Sequence, residues 1–204
     1  MEELRKPLFS NEDKEKKSNV VFCVVVAVLM ALMVLFVVLN TYVYINIQVD
    51  GESMMNTLSS GDLLVANKTV DAKEGDIVVI AHQKDYWLIK RVIAVGDADG
   101  TTVKIENGGV YVDGEKLDEP YAKGITKPVT LEYEWTIFDG EIFYLGDNRE
   151  NSADARSNGP CLKTDVVGVI ENWSVKNRNL MKAIYFIPMQ IGKIFGSNCS
   201  GNVN

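Results

Sequence analysis

An uninterrupted apolar run near the N-terminus constrains this chain more than any other feature. Residues 20–39 read VVFCVVVAVLMALMVLFVVL, twenty residues without a charged side chain. As an α-helix, a run of this length spans about 30 Å, which matches the hydrocarbon core of a bilayer. A cleavable signal peptide has a shorter apolar core, and no Ala-x-Ala cleavage site follows this one. The sequence therefore predicts an uncleaved transmembrane anchor over residues 20–42.

Charged residues beside the run predict its orientation. Lys14, Lys16 and Lys17 precede the run, and the next basic residue is Lys68. Because basic residues favour the cytoplasmic side of a membrane, we expect a cytoplasmic segment over 1–19 and an extracytoplasmic domain after the anchor. The protein is thus expected in the cell membrane, as a single-pass protein in contact with the lipid bilayer.

Composition argues against several kinds of site. The 204 residues include 21 Lys and Arg and 28 Asp and Glu, so the net charge is −7, and no basic block occurs. An acidic surface disfavours nucleic acid as a partner. Cys23, Cys161 and Cys199 form no C-x-x-C pair, and the single histidine, His82, excludes a multi-histidine metal site. Cys161 and Cys199 could pair outside the cell.

Short β-branched runs dominate the chain after residue 48. Such runs, bounded by Gly, Asp and Asn, are typical of strands, and they predict strands over 62–67, 75–82, 86–95, 102–106, 109–113, 140–147 and 166–172. The sequence ENGG between two of them is typical of a hairpin turn. We expect an all-β exterior domain over residues 43–178, antiparallel and partly barrel-like, behind a single N-terminal transmembrane helix.

Two segments differ from this pattern. Residues 97–139 are polar and glycine-rich, and they predict an inserted hairpin or flap rather than core. Residues 179–196 are apolar, but only ten residues lie between Lys182 and Lys193, fewer than a membrane span needs. We expect this segment to lie in the outer membrane interface, with a second span or packing on the domain as alternatives. Residues 197–204 form a polar tail.

Ser53 is the candidate nucleophile, in the stretch VDGESMMNTLSSGD that follows the anchor. A serine hydroxyl is a weak nucleophile unless a base takes its proton. His82 lies in IAHQKDYW, which is typical of an exposed hairpin loop, so it is not expected to be that base. In YWLIKRVIAV, alternation places Lys90 between Leu88 and Val92 on one strand face. Burial of that face would lower the lysine pKa and make it a general base; the alternative is an edge-strand lysine that reaches water.

A third stretch, YLGDNRENSADARSNG over residues 144–159, is dense in Asp, Asn, Arg and Ser. This composition is typical of a solvated loop. Its residues Arg149, Asp154, Arg156 and Ser152 could instead form an ordered, charge-paired loop that orients a neighbouring side chain.

Together these stretches resemble bacterial type I signal peptidase, the membrane-bound Ser-Lys endopeptidase family. GESMMNTL resembles its nucleophile box, EGDIVVI its core strand, IKRVIAVGD its lysine box, GDNRENSADAR its last box and GGVYVDGEKLDEPY its flap hairpin. The resemblance extends from the anchor to about Trp173. It implies an enzyme that removes N-terminal signal peptides from secretory preproteins through an acyl-enzyme, cleaving after small residues of the Ala-x-Ala type.

The resemblance also implies roles for individual residues. Ser53 would be the nucleophile, with its backbone N–H as the oxyanion donor, and Lys90 the general base. Ser152 would hydrogen-bond the Lys90 amine and hold it toward Ser53. Met54 would line the primary specificity pocket. Some family members place a hydroxyl two residues before the nucleophile, where this chain has Gly51 and therefore no side-chain donor.

A charge-paired scaffold is implied as well, in which Asp154 pairs with Arg91 and Arg156. The chain departs from the family pattern at two positions. Asn56 replaces a usual proline, and Ala155 a frequent serine. We expect activity to be retained, with a looser turn around the nucleophile.

No metal or organic cofactor is implied. The implied partners are secretory preproteins and the lipid bilayer, without nucleic acid, and the enzyme is expected to be a monomer. Three alternatives stay open. A self-cleaving repressor-type protease would be cytoplasmic with a DNA-binding region. A catalytically silent membrane-tethered β adapter would leave Ser53, Lys90 and Ser152 without a shared task. A dedicated peptidase for pilin-like or conjugative substrates would differ in substrate alone.

Overall fold

The chain divides between Val43 and Tyr44 into two compact units. The structure, a computed structural model, describes residues 11–83, 86–131, 133–183 and 202–203. The first unit is the helix α1 (Asn11–Val38), which continues as a short π-helix (Leu39–Val43). Among the described residues, one helix, Lys16–Val43, is long and apolar enough to cross a membrane. Its apolar side chains are exposed, which fits membrane anchoring.

Strands and short helices make up the second unit. The strands are β1 (Tyr44–Val49), β2 (Leu63–Asn67), β3 (Ile77–Gln83), β4 (Tyr86–Val95), β5 (Thr101–Glu106), β6 (Gly109–Val112), β7 (Glu115–Lys116), β8 (Glu134–Ile137), β9 (Glu141–Leu145), β10 (Cys161–Leu162), β11 (Val166–Ile170) and β12 (Asn202–Val203). The helices are α2 (Ala155–Asn158), a 3₁₀ turn (Lys163–Asp165), α3 (Asn172–Lys176) and the helical residues 178–183. All of the predicted strands are present, and the predicted fold class is confirmed.

The larger sheet has the strand order β10-β9-β4-β12-β1-β2-β11-β3, and β3 also pairs with β4. Its pairings are antiparallel except for those of β12, which is parallel to β1 and to β4. Within the described part of the chain, β1 and β4 are joined only through this two-residue strand. Because β3 also pairs with β4, the sheet curves back on itself, which makes it partly barrel-like, as predicted, but it is not a closed barrel.

The long strand β4 places the central residues of the site. It pairs with β3 on one side and with β9 on the other. Leu88 and Val92 pack in one hydrophobic cluster, whereas Ile89 packs in a second one. Because apolar residues cover both faces of this strand, Lys90 and Arg91 lie inside the protein rather than at an edge.

Residues 97–139 form more than the predicted hairpin. They contain a second antiparallel sheet with the order β7-β6-β5-β8. The predicted ENGG turn is present, with positive φ at Asn107 and Gly108 (51° and 78°), as a two-residue hairpin turn requires. The expectation that this region lies outside the core is wrong. Alternation along its strands buries one face in the same hydrophobic cluster as β4 and β9, through Val103, Ile105, Val110, Trp135 and Ile137.

The C-terminal predictions are covered only in part. Residues 178–183 are helical, and residues 184–201, which include Cys199, lie outside the described residues. Whether the apolar segment over 179–196 spans or lies on a membrane therefore stays a prediction. Cys161 forms no disulfide within the described part of the chain, and burial, with a smaller effect of Asp165, raises its pKa to about 12.

Gly96 allows the chain to leave β4 toward the second sheet. A Cβ at this position would lie 2.0 Å from the Phe138 carbonyl oxygen and 2.5 Å from its carbonyl carbon. Since these are backbone atoms, we expect Gly96→Ala to lower the free energy of unfolding by about 2 kcal/mol or more. Gly109→Ala is the matched control, because its Cβ would first meet the flexible end of Lys116, at 2.9 Å. Denaturant unfolding that gave equal stability for the two variants would contradict this reading.

Candidate active site

Ser53 lies in a tight turn that follows β1. The N–H groups of Thr57 and Leu58 both donate to the Met54 carbonyl oxygen, at 2.9 and 2.8 Å. The side chains of Met54 and Leu58 are buried in the second hydrophobic cluster, so apolar packing holds the turn against the core. Asn56 is exposed, and backbone hydrogen bonds rather than its side chain hold this turn.

Lys90 meets Ser53 in the centre of the curved sheet. Its Nζ lies 2.8 Å from the Ser53 Oγ and donates to the Ile89 carbonyl oxygen at 3.1 Å. Lys90 is 1% exposed, so the alternative of a lysine that reaches water is wrong. Burial lowers the pKa of Lys90 from 10.5 to about 8, and the carboxylates of Asp154 and Asp147 oppose this effect. An amine with this pKa, within hydrogen-bond distance of a hydroxyl, can accept its proton.

The serine and the lysine open onto a cleft of about 250 Å³. Three segments line it: the start of the nucleophile turn at residues 51–53, alternate residues of β4 (Tyr86, Leu88 and Lys90), and residues 151–153. The cleft therefore gives access to the Ser53 hydroxyl on one side, while protein encloses the Lys90 amine on the other.

Ser152 lies in this cleft, but the hydrogen bond expected between Ser152 and Lys90 is not formed in the structure. The Ser152 Oγ is buried and bonds to no described residue, because Lys90 donates to Ser53 and to Ile89 instead. Gly146 provides the space for Ser152, since a Cβ there would lie 2.2 Å from the Ser152 Oγ and 2.6 Å from the Ser53 carbonyl oxygen. Gly146 was not predicted as a site residue.

Asp154 and Arg156 form a buried ion pair. The Nε and Nη2 of Arg156 donate to the two carboxylate oxygens of Asp154, at 2.8 and 2.9 Å. Asp154 also accepts from the Gly146 N–H at 3.1 Å, and Arg156 donates to the Arg149 carbonyl oxygen at 2.8 Å. Ala155 is fully buried beside them. The loop after β9 is thus ordered and charge-paired rather than solvated.

Arg91 does not pair with Asp154, so this part of the expected scaffold is wrong. Its Nε and Nη2 donate to the two carboxylate oxygens of Asp147, at 2.8 and 2.7 Å. Strand alternation turns Arg91 away from Lys90, toward the residues that follow the neighbouring strand β9. Burial acts to lower the pKa of Arg91, but the hydrogen bonds and charge of Asp147 raise it overall. The Thr57 hydroxyl also donates to Asp147, so this ion pair reaches the nucleophile turn.

Two further residues of the same loop support the site: Asn148, which was not predicted, and Arg149, which was predicted in the charge-paired loop but without a partner. Asn148 holds the backbone around the nucleophile, because its N–H donates to the Ser53 carbonyl oxygen at 2.9 Å and its Nδ2 to the Glu52 carbonyl oxygen at 3.0 Å. Arg149 is buried and pairs with Glu119 through two hydrogen bonds, at 2.6 and 3.0 Å. Their partners are distant along the chain, which is why the sequence predicted neither the role of Asn148 nor the pairing of Arg149 with Glu119.

Met54 does not line the cleft, contrary to expectation. Its side chain points into the second hydrophobic cluster, and the residues lining the described cleft do not include it. The Ser53 backbone N–H takes part in none of the backbone hydrogen bonds of the described turn. It is therefore available as a donor, as the proposed oxyanion role requires.

A buried lysine amine against a serine hydroxyl in an open cleft defines a candidate serine hydrolase, and comparison with known proteins gives the family. The family model described as signal peptidase, peptidase S26, matches residues 19–174. Signal peptidase I P of Bacillus subtilis subsp. natto is 35% identical over 175 residues, which cover 79% of this chain and 92% of that protein. A signal peptidase I of Bacillus amyloliquefaciens is 32% identical over 160 residues, covering 72% and 84%. The chain therefore belongs to the peptidase S26 family, and within it to the bacterial type I signal peptidases.

A solved structure gives a weaker match. The crystal structure of a signal peptidase I from Enterococcus faecalis is 24% identical, covers 50% of this chain and 98% of that chain, and superposes with a TM-score of 0.39.

Removal of the Asp147 charge tests the buried pair with Arg91. In Asp147→Asn the Arg91 guanidinium stays buried without its counter-charge, and we expect the free energy of unfolding to fall by about 3 kcal/mol. Glu106→Gln is the control, because it breaks an ion pair with Lys104 that is of similar length, 2.7 Å, but exposed to solvent. We expect no measurable change there. Unfolding midpoints that move equally in both variants would disprove the structural role of the buried pair.

Proposed function

We propose that this chain is a membrane-bound serine endopeptidase that removes signal peptides from secretory preproteins with a Ser53–Lys90 dyad. The main support is the 2.8 Å contact between the Lys90 Nζ and the Ser53 Oγ, at the cleft of a chain that belongs to the signal peptidase family. Membership of the family supports the removal of signal peptides as the reaction. The geometry supports Ser53 and Lys90 as the residues that perform it.

Acylation follows from this contact. Neutral Lys90 takes the Ser53 proton as the Oγ attacks the carbonyl carbon before the scissile bond. The Ser53 backbone N–H donates to the resulting oxyanion, for which a single donor contributes about 3 kcal/mol. When the tetrahedral intermediate collapses, the scissile C–N bond breaks and the Lys90 ammonium returns its proton to the leaving amine. The signal peptide then remains on Ser53 as an ester.

Deacylation uses the same lysine. Neutral Lys90 takes a proton from water, the hydroxide attacks the ester, and the Ser53 Oγ leaves and regains its proton from Lys90. Ser152 is proposed to accept a hydrogen bond from Lys90 while the amine is charged. Its buried, unpaired hydroxyl in the same cleft supports this, although the bond is not formed in the structure. The proposed chemistry uses groups of the protein and water alone.

Substrate binding is proposed to be extended, with the residues before the scissile bond added as a strand beside the cleft. Small side chains such as alanine are proposed at the first and third positions before that bond. The N-terminus is proposed to be cytoplasmic, because Lys14, Lys16 and Lys17 precede the anchor. The catalytic unit would then act on the outer side of the membrane, as a monomer, on preproteins still held in the bilayer.

A peptidase dedicated to pilin-like or conjugative substrates would use the same dyad, and a panel of preproteins distinguishes it. The adapter alternative is less well supported, because the structure brings Ser53 and Lys90 into contact. The repressor-type alternative is disfavoured by the anchor.

Loss of either dyad residue should abolish processing. We expect Ser53→Ala and Lys90→Met to reduce preprotein cleavage in detergent by at least about 10³-fold, because the nucleophile or its base is missing. Lys90→Met should stay folded, since methionine removes a buried polar group and keeps the volume. The matched controls are Ser60→Ala and Lys104→Met, which alter side chains that do not line the described cleft. Full cleavage by either dyad variant would refute the proposed mechanism.

The pH dependence of cleavage follows from the Lys90 pKa of about 8. Below that pH the ammonium form predominates and cannot accept the Ser53 proton. We therefore expect kcat/KM to rise about tenfold per pH unit up to this pKa and to level off above it. A rate that kept rising to the ordinary lysine value of 10.5 would contradict a buried neutral base. Circular dichroism at each pH would show that the enzyme stays folded.

A further inference from the structure

Asp62 is a buried carboxylate whose positive partners both come from the C-terminal helix, residues 178–183. Its Oδ1 lies 2.8 Å from the Lys182 Nζ, its Oδ2 lies 3.8 Å from the Arg178 Nε, and its side chain is 2% exposed. The Ser59 backbone N–H also donates to Asp62, at 2.9 Å. Because a buried charge is costly without a counter-charge, Asp62 holds this helix against the segment that follows the nucleophile turn.

Arg178 makes a second contact that Lys182 does not make within the described chain. Its Nη1 donates to the Thr57 carbonyl oxygen at 3.0 Å. The hydroxyl of the same Thr57 donates to Asp147, which Arg91 holds with two hydrogen bonds. The end of the nucleophile turn is therefore held from two sides, by the buried ion pair and by the C-terminal helix.

We propose that Arg178 is a positioning residue, which fixes the nucleophile turn so that the Ser53 Oγ stays within reach of the Lys90 Nζ. This inference rests on the proposed function. The helix that carries Arg178 lies beyond residues 19–174, which the family model matches. The nucleophile turn is thus supported by a part of the chain that the family model does not cover.

The expected effect is on the chemical step rather than on substrate binding. Arg178 does not line the described cleft, and it acts on Thr57, which is linked to Ser53 through the hydrogen bonds of Thr57 and Leu58 to the Met54 carbonyl oxygen. A displacement of a reacting group by about 1 Å can cost about 100-fold in rate. Loss of the Arg178 contact should therefore lower kcat and leave KM unchanged.

The test compares Arg178→Gln with Lys182→Gln in the full-length protein in detergent. Each variant removes one of the two positive charges on Asp62, and the two side chains are similarly exposed, at 41% and 43%. Only Arg178→Gln also removes the donor to Thr57. Preprotein cleavage gives kcat and KM, and titration with a lactam inhibitor that acylates Ser53 gives the number of competent sites. Expressing kcat per titrated site corrects for any loss of folded protein.

We expect kcat to fall about tenfold or more in Arg178→Gln, with KM within about twofold of the starting protein. Lys182→Gln should keep kcat, even if both variants lower the unfolding midpoint. An unchanged kcat in Arg178→Gln, equal losses in both variants, or a change confined to KM would each overturn the positioning role. Ser53→Ala in the same assay distinguishes a failure of the positioning role from a failure of the proposed function. If the Ser53→Ala variant still cleaves the preprotein, the proposed dyad itself is wrong.

Discussion

The burial of the Lys90 amine in the middle of the curved sheet is the condition on which the proposed chemistry depends. Apolar residues from two hydrophobic clusters cover both faces of β4, so the strand carries its one lysine out of contact with water. An ammonium group is poorly solvated there, and the neutral form becomes accessible near physiological pH. The nucleophile turn, which follows β1, places the Ser53 hydroxyl directly against that amine.

Two nearby carboxylates oppose the lowering of the Lys90 pKa by burial, but they do not cancel it. Asp147 and Asp154 both act to raise the Lys90 pKa, and alone they would stabilise its charged form. Each is held by two hydrogen bonds from its own arginine, Arg91 or Arg156. Burial is nevertheless the largest influence on the pKa of Lys90. The same ion pairs fix the loop after β9, so the electrostatic and the structural roles coincide.

The nucleophile turn has little regular structure of its own, and its position depends on residues distant in sequence. Asn148 holds the carbonyl groups of Glu52 and Ser53, and Asp147 and Arg178 hold the hydroxyl and the carbonyl oxygen of Thr57. Backbone hydrogen bonds set the turn where the family usually has proline, which explains how Asn56 can be accommodated. Without these long-range contacts, the serine would be an ordinary turn residue.

Local patterns were sufficient for the anchor, the strands and the hairpin, because hydrophobic length, alternation and turn residues act over a few neighbours. They missed β1, since no turn signal separates it from the anchor, and they missed that one face of the second sheet is buried in the core. The resemblance of short segments to a family pointed to Ser53 and Lys90. It also assigned Met54 to the cleft and Asp154 as the partner of Arg91. In the structure, Met54 packs in the second hydrophobic cluster and Arg91 pairs with Asp147.

The sequence by itself therefore determined the long apolar N-terminal helix and the antiparallel β class, and it singled out the two residues of the proposed dyad. Only the tertiary structure decided that Lys90 is buried, that Arg91 pairs with Asp147, and that the C-terminal helix reaches the nucleophile turn. The physical reason is that burial and ion pairing depend on which distant segments pack together. A local sequence pattern does not specify which distant segment a residue will contact.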